Sequence, residues 1–496
     1  MNLSHVLDKI GALEVFGDSN VSFSGIAYHT DNVSQGSCFV AIRGTSVDGH
    51  QFVKTAIRKG AKVVISSKPV EVVDGVTNVV VKDERAALAI ISAAFFGEPS
   101  KSFKLIGVTG TNGKTTVTFL LESIFKAAGY NPGIIGTVEN RYGSVSIKFR
   151  HTTPESYDLQ KLFRDMLDYG VNAVAIEVSS HALDQKRVEG VHFDGAVFTN
   201  LTQDHLDYHL DMERYKEAKF SLFEKYLPQS AKRDVWASVN IDDSVGRELL
   251  QRIKYKAFTF SSKGREADVT VVDSSCSLDG TRLVLRIGKS NLKIASRLVG
   301  RHNASNIAAA ASAAFAIGIE QTAIKNGVES LLRVPGRLEA VPNSKGIVVL
   351  VDYAHTPDAI RNVLSSIREL NPRKIITVFG CGGDRDKTKR PLMGYEAALL
   401  SDALVITSDN PRSENPIKII GEILEGVRRV GLKEGVLDGR GYLTIEDRRE
   451  AIRRAIELAS PGDVVLIAGK GHEDYQIVGS ERRHFSDFEV VREFLN

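Results

Sequence analysis

The sequence has little that would suggest a disulfide scaffold, a zinc ribbon or a membrane protein. Its 496 residues include three cysteines, Cys38, Cys276 and Cys381, which lie far apart and show no CxxC spacing. Disulfide and zinc frameworks are therefore disfavoured, and a reducing compartment is expected. No apolar run approaches the roughly 18–20 residues that span a bilayer, and the N-terminus lacks the segments of a signal peptide. We expect a soluble, cytoplasmic protein without a membrane partner.

The sequence also lacks an excess of charge of either sign. Lys and Arg together number 64, Asp and Glu 61, and the formal net charge is +3. This near balance argues against a nucleic-acid-binding protein that works through bulk charge, and against a membrane-surface protein. Hydrophobic residues make up 43% and charged residues 25% of the chain, the ordinary balance of a globular protein. At about 100–200 residues per domain, we expect about two to four domains.

Short apolar strands alternate with helices along the chain, which predicts an α/β fold. Strands are expected at 38–42 and 62–66, with helices near 52–59 and 85–96. From Lys104 the order is strand, glycine-bearing loop and helix, and the apolar runs at 173–180 and 195–201 are typical of buried parallel strands. The alternation restarts after a linker near Pro335. We therefore predict three domains: a mixed α/β domain at 1–102, a central domain with a P-loop ATPase-like parallel sheet at 103–334, and a Rossmann-like α/β domain at 335–496.

A loop between a strand and a helix has the composition of a phosphate-binding P-loop. It reads TGTNGKTT, and its candidate binding residues are Gly110, Thr111, Asn112, Gly113, Lys114, Thr115 and Thr116. Glycines let backbone N–H groups turn toward phosphate oxygens, and the helix N-terminus adds partial positive charge. Lys114 is expected to reach the β- and γ-phosphates, and the Thr115 hydroxyl to ligate Mg²⁺. Val108 replaces the first consensus glycine, so the loop is a variant form. A simple connecting turn is the disfavoured alternative.

Several motifs together are specific to one enzyme family. Beside the P-loop stand EVSSHAL at 177–183, FTNLTQDHLDYH at 198–209, RYKEAK at 214–219, GRHNASN at 300–306, DYAHTPD at 352–358 and GCGGDRDKTKRP at 380–391. In these motifs the sequence resembles the Mur ligases, over about residues 25–486. The resemblance implies an ATP-dependent amide ligase whose three domains serve a UDP-sugar-peptide, ATP and an amino acid. The implied reaction adds meso-diaminopimelate to UDP-MurNAc-L-Ala-D-Glu through an acyl phosphate. It belongs to peptidoglycan precursor synthesis, on which cell shape and cell division depend.

The resemblance implies a catalytic set of Lys114 and three magnesium-binding residues. Glu177, His205 and Lys219 match family residues that hold Mg²⁺, together with Thr115. An ammonium would be repelled by Mg²⁺, which prefers oxygen ligands. In the family, the matching lysine carries a carbamate formed from CO₂, and the resemblance implies the same N6-carboxylysine here. From the residues alone, Lys219 would be an exposed helix lysine, Glu177 a strand-end carboxylate and His205 an ordinary loop histidine.

Three further residues match family contacts to ATP. Asn303 and Arg337 match residues that meet ATP, and Asp352 matches one that meets its ribose. Because Arg337 and Asp352 follow the linker, the third domain would have to close to complete the site. Closure excludes water from an acyl phosphate that hydrolysis would waste. The alternatives are a polar residue at a helix N-terminus for Asn303 and a linker charge for Arg337.

The resemblance places the UDP-MurNAc-dipeptide across the first two domains. The matching residues are Tyr28, Thr30, Thr45, Ser46 and Val47 for the uridine nucleotide, and Thr152, Thr153, Ser179, Gln185 and Arg187 for the sugar-peptide part. The sequence departs from the family's usual Asp-Ser-Arg around Thr30 and reads His29-Thr30-Asp31-Asn32, in which Thr30 keeps the hydroxyl. An aspartate therefore stands where arginine is usual. Ordinary loop polarity is the alternative interpretation of all these residues.

The motif DNPR at 409–412 favours diaminopimelate over L-lysine as the added amino acid. The two differ by one carboxylate, and the forked guanidinium of Arg412 suits bidentate carboxylate binding. The matching residues are Arg385, Asp409, Asn410, Pro411, Arg412, Gly469 and Glu473, with Glu473 placed to meet an ammonium. The alternatives are L-lysine as substrate, a folylpolyglutamate-type ligase, or an ATP-driven switch without ligase chemistry. We expect a monomer with no nucleic-acid partner.

Overall fold

The structure of the chain is a computed structural model that describes residues 1–44, 47–71, 73–149, 151–435 and 440–495. It confirms the α/β fold predicted from the sequence. Parallel strands dominate the sheets, and helices alternate with them along the chain. In the described ranges, no helix is both long and apolar enough to cross a membrane.

The N-terminal segment forms a five-stranded sheet with two α-helices. The sheet order is β1-β5-β4-β3-β2, in which β2 to β5 run parallel and β1 is antiparallel to β5. Asp83 caps the second helix by accepting from the N–H of Ala86. The four predicted elements of this segment are confirmed. The elements are β1 (Ala12–Phe16), β2 (Gly25–Ala27), β3 (Ser37–Val40), α1 (Val53–Arg58), β4 (Val63–Ser66), β5 (Thr77–Val81) and α2 (Glu84–Phe95).

The middle of the chain begins with the strand and helix that flank the P-loop. The predicted strands after Lys104 and at 173 and 195 are confirmed, as is the predicted helix after the glycine-bearing loop. The elements are β6 (Lys104–Thr109), α3 (Lys114–Ala127), β7 (Pro132–Ile135), β8 (Asn140–Tyr142), β9 (Val145–Ile147), α4 (Ser156–Asp168), β10 (Ala173–Glu177), α5 (Ser180–Asp184), β11 (Gly195–Phe198), α6 (Leu206–His209), α7 (Met212–Ser221), β12 (Trp236–Asn240), α8 (Ser244–Arg252), β13 (Lys256–Ser261), β14 (Val269–Ser277), β15 (Gly280–Ile287), β16 (Ser290–Ser296), α9 (His302–Ala316) and α10 (Gln321–Ser330).

The C-terminal segment has its own sheet, as predicted. Its order is β17-β18-β23-β19-β20-β22-β21, and β17 alone is antiparallel to its neighbour in the described pairs. Apolar clusters cover both faces, which explains the continuous apolar runs of its strands. The elements are β17 (Glu339–Val341), β18 (Val348–Asp352), α11 (Pro357–Arg368), β19 (Ile375–Phe379), α12 (Lys389–Leu400), β20 (Ala403–Ile406), α13 (Pro416–Arg429), β21 (Lys433–Glu434), β22 (Gly441–Thr444), α14 (Arg448–Leu458), β23 (Val464–Ala468), β24 (Tyr475–Val478), β25 (Glu481–His484) and α15 (Asp487–Leu495).

The chain packs into two compact units that do not follow its segments. The first unit holds residues 1–107, 130–196 and 218–236, and the second holds 108–129, 197–217 and 237–496. Glu177, Lys219 and the residues predicted to meet the UDP-sugar-peptide therefore belong to the first unit. The P-loop, His205 and the residues predicted to meet ATP and the amino acid belong to the second. The two predicted boundaries between the three domains stay a prediction.

Candidate active site

The P-loop joins the carboxyl end of β6 to the first turn of α3 in the second unit. Gly110 and Gly113 have φ values of 146° and 89°, a region that favours glycine. A Cβ at Gly110 would overlap Thr199, and one at Gly113 would overlap Asn306. Lys114 Nζ folds back over the loop and donates to the carbonyl oxygens of Gly110 and Thr111, both at 2.8 Å. The loop is therefore shaped for close approach of a ligand to its backbone, with an ammonium beside it.

The segment that follows β11 braces this loop. Thr199 Oγ1 and Asn200 Nδ2 donate to the carbonyl oxygen of Asn112 at 2.7 and 3.1 Å. The N–H of Asn112 donates in return to Asn200 Oδ1 at 2.9 Å. The motif that contains these residues was recognised from the sequence, but their role as supports of the loop was missed. The spacing of the two motifs, nearly ninety residues, gave no signal of the contact.

Arg337 reaches the P-loop from the C-terminal segment. Its Nη2 donates to Thr115 Oγ1 at 2.9 Å, and its guanidinium lies 4.7 Å from the centre of the Tyr353 ring. Asp352 is buried, and its two carboxylate oxygens accept from the N–H groups of Leu338 and Ala354 at 2.6 and 2.7 Å. Burial raises the pKa of Asp352. The structure thus brings Arg337 to the predicted phosphate site, and one oxygen of Asp352 accepts from Leu338, the residue that follows Arg337.

Asn303 contacts Asn306, a second asparagine, which lies beside the P-loop glycine Gly113. Its Nδ2 donates to the carbonyl oxygen of Val299 at 2.8 Å, and its Oδ1 accepts from Asn306 Nδ2 at 2.9 Å. Asn306 is the residue that a Cβ at Gly113 would meet. Asn303 therefore supports the neighbour of the loop, and Asn306 was missed in the sequence analysis.

A buried carboxylate gathers basic side chains beside the P-loop. Asp204 lies 3.4 Å from His205 Nε2, 3.8 Å from His355 Nε2 and 3.7 Å from Lys389 Nζ. Burial would raise the pKa of Asp204, but the basic groups around it hold that pKa well below its usual value. Of these four residues, only His205 was predicted from the sequence to be a site residue. The others stand in recognised motifs, and only the fold brings them together.

Glu177 lies at the end of β10 in the first unit and is 1% exposed. Its carboxylate accepts from the N–H and the hydroxyl of Thr137 at 2.9 and 3.0 Å. The oxygen of the same hydroxyl lies 3.0 Å from Thr152 Oγ1, whose hydroxyl can donate to it, and Thr153 Oγ1 donates to the carbonyl oxygen of Glu177 at 2.8 Å. The position of Glu177 at a strand end is as predicted, and Thr137 was missed.

The other residues predicted to meet the sugar-peptide part lie in the same network. Thr153 Oγ1 accepts from the N–H of Ser179 at 3.1 Å, and the Thr153 carbonyl accepts from Arg187 Nη1 at 3.0 Å. Arg187 Nη2 donates to Gln185 Oε1 at 2.8 Å. The first unit therefore brings Glu177 and five of the predicted substrate residues together: Thr152, Thr153, Ser179, Gln185 and Arg187.

Lys219 is buried on α7, with 1% of its surface exposed. The alternative interpretation, an exposed and solvated helix lysine, is therefore wrong. Burial of an ammonium is costly unless it is paired or neutralised. Within the described ranges, no three His, Cys, Asp or Glu side chains are grouped so that they could hold a metal. Three such side chains alone would therefore not form a Mg²⁺ site in the described residues.

The residues predicted to meet the uridine nucleotide are more dispersed. Tyr28 is half-buried and donates to Asp158 Oδ2 at 2.5 Å, and burial together with Asp158 raises the pKa of its phenol. Thr30 begins a short 3₁₀ turn, and its carbonyl oxygen accepts from Lys59 Nζ at 2.9 Å. Val47 is 52% exposed. The remaining two predicted residues, Thr45 and Ser46, lie outside the described residues.

The residues predicted to bind the amino acid follow three neighbouring parallel strands. Arg385 comes after β19, residues 409–412 after β20, and Gly469 and Glu473 after β23. The carboxyl edge of a parallel sheet is where α/β sites open. Asn410 Nδ2 donates to Glu473 Oε2 at 2.9 Å, and Arg412 Nη1 donates to the Gly383 carbonyl at 2.6 Å. Arg385 lies 3.7 Å from Asp207 Oδ2. The structure thus brings the predicted amino-acid residues to one edge.

A buried arginine ties together the loops that carry Arg385 and Arg412. Arg390 is fully buried and donates to both carboxylate oxygens of Glu414, at 2.9 and 3.0 Å. It also donates to Glu422 Oε2 at 2.7 Å and to the Gly382 carbonyl at 3.1 Å. This brace was missed in the sequence analysis, because Arg390 appeared there only as part of a motif.

The glycine loop at the carboxyl end of a strand, with a lysine at the start of the next helix, places the chain among P-loop-containing α/β proteins. Sequence profiles identify the family. The Mur ligase family catalytic domain matches residues 22–96, the Mur ligase middle domain 108–314, and the Mur ligase glutamate ligase domain 336–471.

Similar proteins cover the whole chain. A Geobacter metallireducens protein named UDP-N-acetylmuramoyl-L-alanyl-D-glutamate--2,6-diaminopimelate ligase is 45% identical over 501 residues, which cover 99% of this chain and 98% of that protein. A protein of the same name from Geobacter sulfurreducens is 43% identical, covering 98% of this chain and 97% of that protein. A solved structure of a ligase of that name superposes with a TM-score of 0.70 at 31% identity, covering 100% of this chain and 98% of the other. The chain therefore belongs to the Mur ligase family, and it is a ligase.

Proposed function

We propose that the chain catalyses the ATP-dependent addition of meso-diaminopimelate to UDP-MurNAc-L-Ala-D-Glu, a step of peptidoglycan precursor synthesis. The observation that carries this proposal is the full-length similarity to ligases that bear the corresponding name. It extends over the N-terminal segment, which a folylpolyglutamate-type ligase would not explain. We infer that residues 1–102 serve the UDP-sugar-peptide, 103–334 serve ATP, and 335–496 serve the amino acid.

The reaction joins a carboxylate and an amine in two transfers. A carboxylate oxygen of the UDP-MurNAc-dipeptide attacks the γ-phosphorus of ATP, and the bond to the bridging oxygen breaks to release ADP. The amine of the incoming amino acid then attacks the acyl carbon, loses a proton and expels phosphate. Both steps bring anions together, so cationic groups must neutralise them.

The P-loop supplies the cations for the first transfer. Lys114 lies over the loop and is placed to exchange the carbonyl oxygens of Gly110 and Thr111 for phosphate oxygens. Arg337 lies at the Thr115 hydroxyl, at the start of α3. A helix N-terminus with free N–H groups is a favourable site for phosphate. The predicted nucleotide residues thus fit an ATP site, although both oxygens of Asp352 are engaged by the protein backbone.

From the resemblance to the Mur ligases, we propose Thr115, Glu177, His205 and Lys219 as the residues that bind magnesium. A hydroxyl, a carboxylate and an imidazole can all bind the ion, whereas an ammonium cannot, so the set fits Mg²⁺ only if Lys219 is a carbamate. In that modification, the Lys219 amine attacks the carbon of CO₂ and loses a proton, which yields an anionic carbamate. The burial of Lys219 supports this form. When bound, Mg²⁺ would offset the charge of the phosphates and the attacking carboxylate.

The amino-acid site we propose selects diaminopimelate by charge. Arg412, with Arg385, is assigned to the carboxylate that L-lysine lacks, and Glu473 is assigned to an ammonium. Because a site built for that carboxylate would leave the guanidinium unpaired with lysine, it can discriminate by about 10⁴ or more. We expect the enzyme to act as a cytoplasmic monomer. Its cysteines are free, and two of them are buried, which suits a reducing compartment.

An ADP-release assay tests the proposed function. The protein is incubated with ATP and Mg²⁺, with UDP-MurNAc-L-Ala-D-Glu, and with diaminopimelate or L-lysine supplied one at a time. We expect sustained ADP release only when the dipeptide acceptor and diaminopimelate are both present. ADP release with L-lysine in preference would correct the amino acid. ADP release without the dipeptide acceptor and without an amino acid would indicate an ATP-driven switch and contradict the ligase reaction.

A further inference from the structure

A buried lysine that has no role in the proposed reaction contacts residues of the proposed amino-acid site. Lys470 follows Gly469 at the carboxyl end of β23, and it is 0% exposed. Its Nζ lies 3.2 Å from Asn410 Oδ1, 3.3 Å from Glu473 Oε2 and 4.0 Å from Asp409 Oδ1. A buried ammonium is stable only where acceptors and negative charge surround it. All three neighbours are residues proposed to bind the amino acid.

Lys470 restricts the orientation of the Asn410 side chain. Asn410 Oδ1 receives two donors, the Lys470 ammonium at 3.2 Å and the N–H of Ile477 at 2.9 Å. Neither group can accept a hydrogen bond, so an exchange of the amide oxygen and nitrogen would place donor against donor. The Asn410 Nδ2 is therefore directed toward Glu473 Oε2, at 2.9 Å.

Lys470 is also the nearest positive charge to the Glu473 carboxylate. Burial raises the pKa of Glu473, the neighbouring Asp409 raises it further, and Lys470 opposes both. The other titratable or charged side chains that face Glu473 are Tyr353, Arg448 and Tyr475. Without Lys470, a buried carboxylate beside Asp409 would bind a proton more readily.

We propose that Lys470 is a positioning residue for the amino-acid substrate, which fixes the Asn410 amide and places a positive charge beside Glu473, the carboxylate assigned to the substrate's ammonium. This inference rests on the proposed function, in which Glu473 meets that ammonium. It assigns Lys470 no contact with substrate. Its effect reaches the substrate through Asn410 and Glu473.

Three substitutions separate the charge of Lys470 from its hydrogen bond. Lys470→Met removes both, Lys470→Gln keeps a donor for Asn410, and Lys470→Arg keeps a positive charge. We expect Lys470→Met to raise the KM for diaminopimelate about tenfold or more, the factor for one lost hydrogen bond to a charged group. The KM for ATP should not change. The exposed Lys418 provides the matched control, Lys418→Met, for which both constants should equal those of wild type.

The pH profile gives a result that a merely structural role would not produce. Glu473 must be ionised to bind an ammonium, so kcat/KM for diaminopimelate falls as the pH drops through its pKa. Loss of the Lys470 charge raises that pKa, so the acidic limb should move to higher pH in Lys470→Met and Lys470→Gln, by about one unit. The limb should stay in place in Lys470→Arg. If Lys470→Met does not fold, the other two variants carry the test.

A double-mutant cycle completes the test. If Lys470 acts through Glu473, Lys470→Gln should move the acidic limb in wild type and have no such effect in a Glu473→Gln background. Suppose that wild type uses diaminopimelate. Folded Lys470→Gln with an unchanged KM for diaminopimelate and an unchanged acidic limb of the pH profile would then overturn the inference. A wild type that does not use diaminopimelate would instead contradict the proposed function.

Discussion

The ion pair between Arg390 and Glu414 allows a prediction with a calculated magnitude. The Glu414 side chain is 13% exposed, and both of its oxygens accept from the fully buried Arg390. The hydrogen bonds from Arg390, with that from the N–H of Asp384, lower the pKa of Glu414 to about 2 against the effect of burial. Relative to an ordinary glutamate, this shift corresponds to about 3 kcal/mol of stability.

The sign of the pH dependence follows from the lowered pKa. The contribution of Glu414 is fully present above the pKa of an unfolded glutamate, about 4.3, and is lost as the pH falls toward 2. Glu414→Gln removes the charge at all pH values and leaves the buried Arg390 with one carboxylate partner, Glu422, instead of two. We therefore expect the free energy of unfolding at pH 7 to fall by about 3 kcal/mol. As the pH falls from about 4.3 toward 2, the difference between wild type and variant should shrink.

Urea unfolding from pH 2.5 to 7 measures the difference in the free energy of unfolding between wild type and Glu414→Gln. Steady-state kinetics measure the effect of the substitution on the amino-acid site. Because Arg390 and Glu414 tie together the loops of Arg385 and Arg412, the KM for diaminopimelate should rise while the KM for ATP changes little. The exposed Glu425 on α13 provides the control Glu425→Gln, which should match wild type. A Glu414→Gln variant with wild-type stability at pH 7 would refute the reasoning.

Three further substitutions test the proposed catalytic and binding roles. Lys114→Ala should lower kcat by about 10²–10³ without unfolding the protein; near-normal turnover of the folded variant would contradict the phosphate role. Lys219→Ala should be nearly inactive and partly rescued by a small carboxylate, and Lys219→Arg should fail because guanidinium forms no carbamate; an active Lys219→Arg enzyme would exclude the carbamate. Arg412→Ala should reduce the ratio of kcat/KM for diaminopimelate to that for L-lysine; an unchanged ratio would show that Arg412 does not select the second carboxylate.

The sequence was sufficient to predict the elements that carry the site. Buried parallel strands appear as continuous apolar runs, and the residues after them fall at one edge of the sheet. Asn410, Arg412 and Glu473 follow such strands, but their assignment to the amino-acid site came from the resemblance to the Mur ligases. The P-loop was equally accessible, because its glycines, lysine and threonines are contiguous in sequence.

The contacts that support these residues could not be predicted in the same way. Asp204 and Lys389 lie 3.7 Å apart although they are far apart in the chain, and no local pattern encodes such packing. Burial of Lys219 was missed for a related reason. A lysine on a helix is usually solvated, and only the packing of α7 shows that this one is not.

The hydrogen bonds of the two cations at the P-loop are of a kind that phosphate oxygens can replace. The ammonium of Lys114 donates to backbone carbonyls, and the guanidinium of Arg337 donates to the Thr115 hydroxyl. These acceptors are neutral, so exchanging them for phosphate oxygens replaces weaker hydrogen bonds with charge-assisted ones. Lys389, in contrast, already faces the anionic Asp204. Phosphate oxygens would therefore be stronger acceptors for Lys114 and Arg337 than these neutral groups, whereas release of Lys389 would leave a buried carboxylate with less compensation.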